Sequence, residues 1–225
     1  MKLYKTSFYG NPNIGLYGFC TDTYCLLAQE FTEEQVKKIS EVLQVPVYQV
    51  KIANSSLIGA LVTGNSKVLL VPAITQEKEI QYLKELKIHV KTIQTKLTAL
   101  GNNILCNNKG ALVNREYSAD TKKIIRQALD VVLHPGDIGI TEVPGSCVVH
   151  NKKNAVIHAF ATPEQVTEVQ NLLGIKCTRG TINFGSPYVR SGILANSYGM
   201  VVGDASTGVE IENIYEALGF LEQSE

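Results

Sequence analysis

Leu57-Ile58-Gly59-Ala60-Leu61-Val62 opens the stretch that decides the fold, and Gly64-Asn65-Ser66-Lys67 and Val68-Leu69-Leu70-Val71-Pro72 complete it. We interpret the stretch as an apolar strand, a tight turn and a second strand. Gly and Asn tolerate the positive φ that short hairpins need. The second run is apolar without alternation, which indicates a strand covered on both faces. An amphipathic helix and a third strand are predicted to follow.

The same pattern recurs five times along the chain. The residues that open the predicted helices are Thr32, Thr75, Ser118, Thr162 and Thr207, at steps of 43, 43, 44 and 45 residues. The first residues of the preceding strands are Cys25, Val68, Ala111, Ala155 and Met200, at the same steps. A repeat of this size indicates a solenoid, a propeller or a closed ring. Five units fill the chain, so we predict one domain, residues 1–225.

Ring closure is predicted from the start of the chain. Leu3-Tyr4, followed by Ile14-Gly15, lines up with Val47-Tyr48 and Ile58-Gly59 at an offset of 44 residues. The N-terminal strand is therefore expected to complete the fifth unit, which removes exposed sheet edges. Each unit then places one loop and one helix N-terminus at the same end of the ring. We call this end the loop face, and we call the end with the hairpin turns the hairpin face.

The loop face is the expected functional surface because five loops meet there. Their residues are 9–13, 53–56, 98–103, 141–146 and 184–188.

Composition excludes several classes of protein. Lys plus Arg and Asp plus Glu each number 21, so no overall field attracts nucleic acid and no DNA partner is expected. No apolar run approaches the roughly 18 residues of a membrane span, and the N-terminus lacks a secretory signal. The 5 cysteines are odd in number and scattered, which is typical of a reducing, cytoplasmic setting. We expect no membrane partner and no cofactor.

Several segments, read in register, resemble the translation initiation factor six family, the archaeal and eukaryotic ribosome anti-association factors. The segments are 54–59, 64–72, 97–103, 106–113, 195–203 and 216–219. Among them, Leu97-Thr98-Ala99-Leu100-Gly101-Asn102 is the most specific. The likeness covers nearly the whole chain and all five units.

The resemblance implies an α/β pentein fold, which is a closed five-fold pseudosymmetric propeller of strand-strand-helix-strand units. It also implies a non-catalytic factor of archaeal type; because a closed ring needs no second copy, we expect a monomer. Such a factor binds the large ribosomal subunit, with contacts to ribosomal proteins and rRNA near the sarcin–ricin loop. It sterically prevents premature association with the small subunit, and a role in large-subunit maturation is a further expectation.

Polar and small residues of the loop face are the candidate ribosome-binding residues. They are Asn13, Asn54, Ser55, Ser56, Asn102, Asn103, Gly145, Ser146, Ser186 and Tyr188. These residue types also occur in turns whose side chains cap backbone groups, and that alternative stays open. Lysines of the hairpin turns are either rRNA contacts or solvated turn residues: Lys67, Lys109, Lys152 and Lys153.

The alternative function is a guanidine-modifying hydrolase on the same fold. Relatives of that kind need a nucleophilic Cys, a His and acidic residues that hold the substrate cation. The cysteines here, Cys20, Cys25, Cys106, Cys147 and Cys177, fall in predicted strands and are interpreted as core residues. The four histidines include no i, i+4 pair, and no zinc-ligand spacing is present, so no metal site is predicted.

Overall fold

Residues 2–221, which the computed structural model describes, form five three-stranded sheets. In each sheet the middle strand pairs antiparallel with one neighbour and parallel with the other. The sheets are β2 (Gly18–Cys20), β3 (Cys25–Ala28) and β4 (Val47–Val50); β5 (Thr63–Gly64), β6 (Leu69–Pro72) and β7 (Val90–Ile93); β8 (Ile104–Cys106), β9 (Gly110–Val113) and β10 (Val132–Pro135); β11 (Val148–His150), β12 (Asn154–His158) and β13 (Lys176–Gly180); and β14 (Ile193–Ala195), β15 (Met200–Gly203) and β1 (Leu3–Thr6).

The last sheet contains the first strand of the chain. Strand β1 pairs parallel with β15, in a register that runs from Leu3 opposite Met200 to Thr6 opposite Gly203. The fifth unit is therefore built from both ends of the described chain, as in the predicted closure.

One longer helix connects the middle and third strands of each unit, and in the fifth unit it follows the middle strand. The helices are α1 (Glu33–Leu43), α2 (Glu77–Glu85), α3 (Ala119–Leu129), α4 (Pro163–Leu173) and α5 (Gly208–Ala217). They pack against sheets of the preceding unit: α1 contacts β1 and β15, and α5 contacts β12 and β13. Buried apolar side chains thus fill the spaces between neighbouring units.

The N-cap residues of the longer helices are those predicted from the sequence, with one exception. The predicted capping boxes at Thr32, Thr162 and Thr207 are confirmed, with reciprocal bonds to the third helical residue. In the second unit the prediction is wrong by one position. Gln76, not Thr75, is the N-cap residue, and it forms a capping box with Glu79. Thr75 is buried beneath the helix start.

Five short helical turns surround the axis, and we call them the axial turns. They are Ile14–Leu16, Ile58–Leu61, Leu100–Asn103, Pro144–Cys147 and Val189–Gly192. Each contacts the next, and the last contacts the first, so the ring is closed. The strand predicted within Leu57 to Val62 is wrong: that segment forms an axial turn, and only Thr63–Gly64 form the strand.

Glycine permits the closest contacts between axial turns. Added Cβ atoms would clash with backbone carbonyl oxygens of the neighbouring turn: Gly59 with Gly15, Gly101 with Gly59, Gly145 with Gly101, and Gly15 with Arg190. Any larger residue at the four glycine positions must push two units apart. In the fifth unit Arg190 occupies the corresponding position.

An asparagine in each of four hairpin turns joins neighbouring units. The Asn196 amide donates to the carbonyl oxygens of Leu43 (2.7 Å) and Thr21 (3.1 Å). Its Oδ1 accepts from the backbone N–H groups of Tyr198 and Gly199. The equivalent donations run from Asn65 to Leu129, Asn107 to Leu173 and Asn151 to Leu218. Each asparagine therefore holds its own turn and satisfies a helix C-terminus of the next unit.

The expectation that Gly and Asn supply positive φ in the hairpin turns is wrong. Positive φ values occur instead at helix ends and in the loop face, as at Gln44 and Asn54. The hairpin asparagines act through their side chains, as in Asx turns.

Substitution of Gly101 by Ala is expected to destabilise the protein by about 3 kcal/mol or more, because its Cβ would meet backbone rather than a movable side chain. Gly208→Ala is the matched control, since nothing lies within 4 Å of its added Cβ. We expect this control to be neutral or to stabilise by up to about 1 kcal/mol. Urea denaturation measures both, and equal effects would show that the axial contact is unimportant.

Asn196→Ala is expected to lower the free energy of unfolding by about 2–4 kcal/mol, because several buried backbone groups lose their partner together. Asn171→Ala, at an exposed position of α4, should change it by less than about 0.5 kcal/mol. Thermal denaturation of both variants measures the difference. An Asn196→Ala protein as stable as the unmodified one would show that the asparagine hydrogen bonds between units contribute little to stability.

Candidate functional site

Four units end their loop-face strand in a short tip. Backbone bridges close the tips between Phe8 and Asn11, Ile52 and Ser55, Ile138 and Thr141, and Ile182 and Ser186. The tip residues adopt positive φ, including Tyr9 (49°), Asn54 (57°) and Phe184 (63°). Non-glycine residues pay a conformational cost there, so other contacts must hold the tips in place.

In each of these four units, the side chain of the third residue of the longer helix makes those contacts with the tip. Glu79 accepts hydrogen bonds from the N–H groups of Ala53 and Asn54, both at 2.8 Å. Glu210 accepts from Phe184 (3.1 Å) and Gly185 (2.8 Å). Each carboxylate also belongs to a capping box, so one side chain links the helix start to the tip.

Gln35 and Gln165 serve the other two tips through their side-chain amides, by contacts with Ser7 and Gly139.

Electrostatics support this arrangement at Glu210. Partial burial on its own raises the pKa of the Glu210 carboxyl, but hydrogen bonds from Thr207, Gly185, Thr181 and Phe184 outweigh it. The net result is a pKa below its ordinary value. The carboxylate stays ionised at neutral pH and keeps accepting from the tip.

Large apolar side chains project from these anchored tips. Tyr9 is 82% exposed, Ile140 is 93% exposed and Phe184 is 83% exposed. Phe160, in the adjacent corner after β12, is 69% exposed. Surface exposure of this kind on one face is typical of a binding surface. None of the four is among the predicted contact residues.

The three exposed apolar tip residues share a pattern that can be recognised in the sequence. Each is an apolar residue next to glycine in a turn: Tyr9-Gly10, Gly139-Ile140 and Phe184-Gly185.

Tyr188, a predicted contact residue, lies beside this apolar group. Its ring packs edge-on against His158 with centroids 5.4 Å apart, and Phe160 packs against the same imidazole at 5.8 Å. Burial lowers the pKa of His158, so the imidazole is neutral at pH 7. Tyr188 keeps 38% of its surface exposed.

Asn54 and Asn102 are predicted contact residues whose amide side chains are unused. Neither amide side chain has a hydrogen-bond partner within residues 2–221. Asn54 is exposed at a tip, and Asn102 is half-buried on an axial turn. Both are therefore available to a partner.

Four other predicted residues lie in the loop face and use their side chains in local hydrogen bonds, as the capping alternative expects. Asn13 accepts from Ser191, Ser55 accepts from the N–H of Leu57, Ser56 donates to Glu30, and Ser146 donates to Val143. Ser186 bonds Ile182 through its backbone, and its hydroxyl has no hydrogen-bond partner within residues 2–221.

Asn103 and Gly145, two further predicted contact residues, are buried in this structure. Asn103 is 5% exposed, donates to the Ala99 carbonyl at 2.8 Å and accepts from Asn114 at 2.8 Å. Gly145 is buried and packs on the Gly101 carbonyl at the axis. Both residues support the turns that present their neighbours.

A cavity of about 520 Å³ lies on the axis and opens on the hairpin face. The first strands of the five hairpins form its wall, and Arg190 lies among its lining residues. Cys20 and Cys106, interpreted from the sequence as core residues, lie on this wall together with His150. The hairpin face, not the loop face, therefore contains this concave site.

The ionisation of these groups does not suit nucleophilic catalysis. Burial raises the pKa of the Cys20 thiol to about 12 and also raises that of Cys106. Burial lowers the pKa of His150. Protonated thiols beside a neutral imidazole are poor nucleophiles. Within the described residues, no group of three or more His, Cys, Asp or Glu side chains is placed to hold a metal ion.

None of the helices within residues 2–221 has the length and apolar character needed to cross a bilayer.

The closed ring of five units confirms the α/β pentein prediction, and its anchored loop face is a surface suited to macromolecular binding. The sequence model of the eIF-6 family matches residues 3–217, so the chain belongs to the eIF-6 family.

Similar proteins share this length and family. Translation initiation factor 6 of Pyrococcus abyssi is 37% identical over 227 residues, covering 98% of this chain and 100% of its own. The factor of Saccharolobus islandicus is 35% identical, covering 97% and 100%. That of Methanococcus maripaludis is 37% identical, covering 97% and 99%.

Among solved structures, the N-terminal domain of ArgZ, an arginine dihydrolase, is similar at a TM-score of 0.47. It is 11% identical, with 75% of this chain and 67% of that chain covered. At this level the likeness has no bearing on activity.

The cysteines are expected to react slowly with iodoacetamide in the native protein. Since the pKa of Cys20 rises from 9.0 to about 12, its thiolate fraction at pH 8 falls roughly a thousandfold relative to an exposed cysteine. Mass spectrometry of alkylated peptides measures this, with the guanidinium-unfolded protein as control. Alkylation of Cys20 or Cys106 as fast as free cysteine would instead favour a catalytic thiolate.

Proposed function

We propose that this protein is a translation initiation factor that binds the large ribosomal subunit and sterically prevents premature association with the small subunit. The observation that carries the proposal is the eIF-6 family match over residues 3–217. Relatives of the same length, at 35% and 37% identity, are named Translation initiation factor 6.

The proposed mechanism is steric and needs a rigid body. Glycine contacts close the axial ring, and hairpin asparagines join successive units. Helix carboxylates and amides fix the loop tips. A disc of this kind keeps its shape when it covers a surface, and no bond is made or broken.

The loop face is the proposed ribosome-binding surface. Asn54 and Asn102 supply unused hydrogen-bonding groups, and the exposed apolar tips supply area that a partner can bury. Interfaces typically combine apolar anchors with a polar rim. Since the chain carries no net charge, shape and hydrogen bonding are expected to dominate over long-range attraction.

The proposed partners are ribosomal proteins and rRNA near the sarcin–ricin loop. We further propose that residues 1–225 act as one domain, as a monomer, in the cytoplasm, and that the factor takes part in large-subunit maturation.

We propose no catalytic activity. A guanidine-modifying hydrolase must hold a cationic substrate next to a thiolate. Here the axial cavity contains the cation Arg190, and burial keeps the thiols of Cys20 and Cys106 protonated. These features oppose the hydrolase alternative on electrostatic grounds.

Asn102→Glu is expected to weaken binding to large subunits at least about tenfold, because a larger, charged side chain replaces an unused amide inside the contact. The control is Asn171→Glu, the same substitution on the exposed surface of α4. Cosedimentation with purified archaeal large subunits in sucrose gradients measures both. Asn103 is left unchanged because its buried hydrogen bonds maintain the fold.

The apolar tips provide a second arm of the same experiment. Phe184→Asp should also reduce cosedimentation, whereas Val132→Asp, at an exposed apolar residue of β10, should not. Normal binding by both Asn102→Glu and Phe184→Asp would reject the loop face. Failure of the unmodified protein to sediment with large subunits would reject the function itself.

A further inference from the structure

Arg190 breaks the five-fold pattern at the axis. Glycine occupies the corresponding position in the other four axial turns, whereas the fifth turn carries a long cationic side chain. Its guanidinium crosses the ring: Nη1 lies 3.1 Å from the Gly101 carbonyl and Nη2 lies 3.5 Å from the Val62 carbonyl. The charge therefore lies at the inner end of the axial cavity.

This guanidinium has no anionic partner among residues 2–221. No carboxylate lies within ion-pair distance of it in that part of the chain. It also lies over the Phe19 ring, whose centroid is 6.0 Å from Cζ. Two carbonyl contacts use a minority of the five N–H donors of arginine. The Arg190 side chain is half-buried, so an anion in the cavity would pair with a cation that is partly removed from water and lacks a counter-charge.

Asp22 does not supply the missing charge. It is the acidic residue that lines the cavity, but its carboxylate is occupied at the rim. It accepts from the backbone and hydroxyl of Ser197, at 2.8 and 2.9 Å, and pairs with Lys152 at 2.9 Å. These contacts outweigh the effect of burial and hold the pKa of Asp22 below its ordinary value, so its charge is already engaged.

The remaining lining adds positive charge and apolar surface. Lys109 and Lys152 also line the cavity, but Lys152 is paired with Asp22 and Lys109 Nζ donates to the Gly174 carbonyl at 3.3 Å, so Arg190 is the charge that a ligand would meet at the inner end. Phe19, Leu105 and other apolar side chains contribute wall surface between the charged ends. The cavity volume falls within the range typical of small-molecule sites.

We infer that the axial cavity binds a small organic anion. A phosphate or carboxylate group accepts hydrogen bonds from Arg190, and an apolar body of the ligand contacts the strand walls. A planar guanidinium matches either oxyanion by paired hydrogen bonds. The site lies on the face opposite the proposed ribosome-binding surface and is independent of that function.

Titration of the isotope-labelled protein at pH 7, followed by NMR, tests this inference. Phenyl phosphate and benzoate are the two anionic probes, and phenol is the neutral control. We expect saturable shifts of the Arg190 Nε–H signal and of the Cys20 and Thr63 amides with at least one anion. The tips Asn54 and Phe184 should not shift. Comparison of the two anions distinguishes phosphate from carboxylate recognition.

Arg190→Met is expected to weaken binding of the preferred probe by about 10- to 100-fold, since a charge-assisted hydrogen bond is lost. Arg126→Met, an equal change of charge on the exposed surface of α3, should bind normally. Absence of saturable shifts in the unmodified protein, or shifts confined to surface lysines, would overturn the site. If Arg190→Met does not fold, the titration of the unmodified protein decides alone.

Discussion

Backbone-to-backbone contact around the axis is the constraint on which the rest of the structure depends. Glycines of four axial turns lie so close to neighbouring carbonyl groups that no Cβ fits between them. This approach sets the distance between adjacent units, and hence the spaces that the helices and their apolar side chains fill. Because the strands of all five units run between the same two ends of the ring, those ends form two separate faces. The loop tips occupy one face, and the cavity opens on the other.

The same ring shows how a repeat can specialise without losing its geometry. Arginine replaces glycine in the fifth axial turn and projects across the axis, so the centre becomes charged on one side. The loop tips differ in another way, since the second residue after the first bridged residue is Gly10, Asn54, Ile140 or Phe184, and the fourth tip is one residue longer than the others. The units thus share their overall geometry and differ chemically through single side chains such as Arg190.

Much of the fold is predictable from the sequence because its signals are local and repeated. Capping residues such as Thr162 can be recognised without knowledge of the tertiary structure. The same is true of the constant offset between the first strand and its counterparts in later units. The site is less predictable. Asn102 and Asn103 are neighbours on a four-residue turn, yet Asn102 is half-buried and Asn103 is buried. A turn of four residues is too short for a hydrophobic period, so the sequence does not show which asparagine is buried. In the sequence, nothing distinguishes Arg190 from a surface arginine, and only the closed ring shows that its side chain crosses the axis.

The pairing of β1 with β15 has a consequence for how the protein is made. Leu3 cannot pair with Met200 until almost two hundred further residues have been synthesised, so the first strand to emerge is among the last to find its partner. Earlier units can assemble during synthesis, but the axis, the cavity and the complete loop face form only when the circle closes. A truncated nascent chain therefore presents an open arc with an unpaired first strand, and a shape that no partner of the finished disc should recognise.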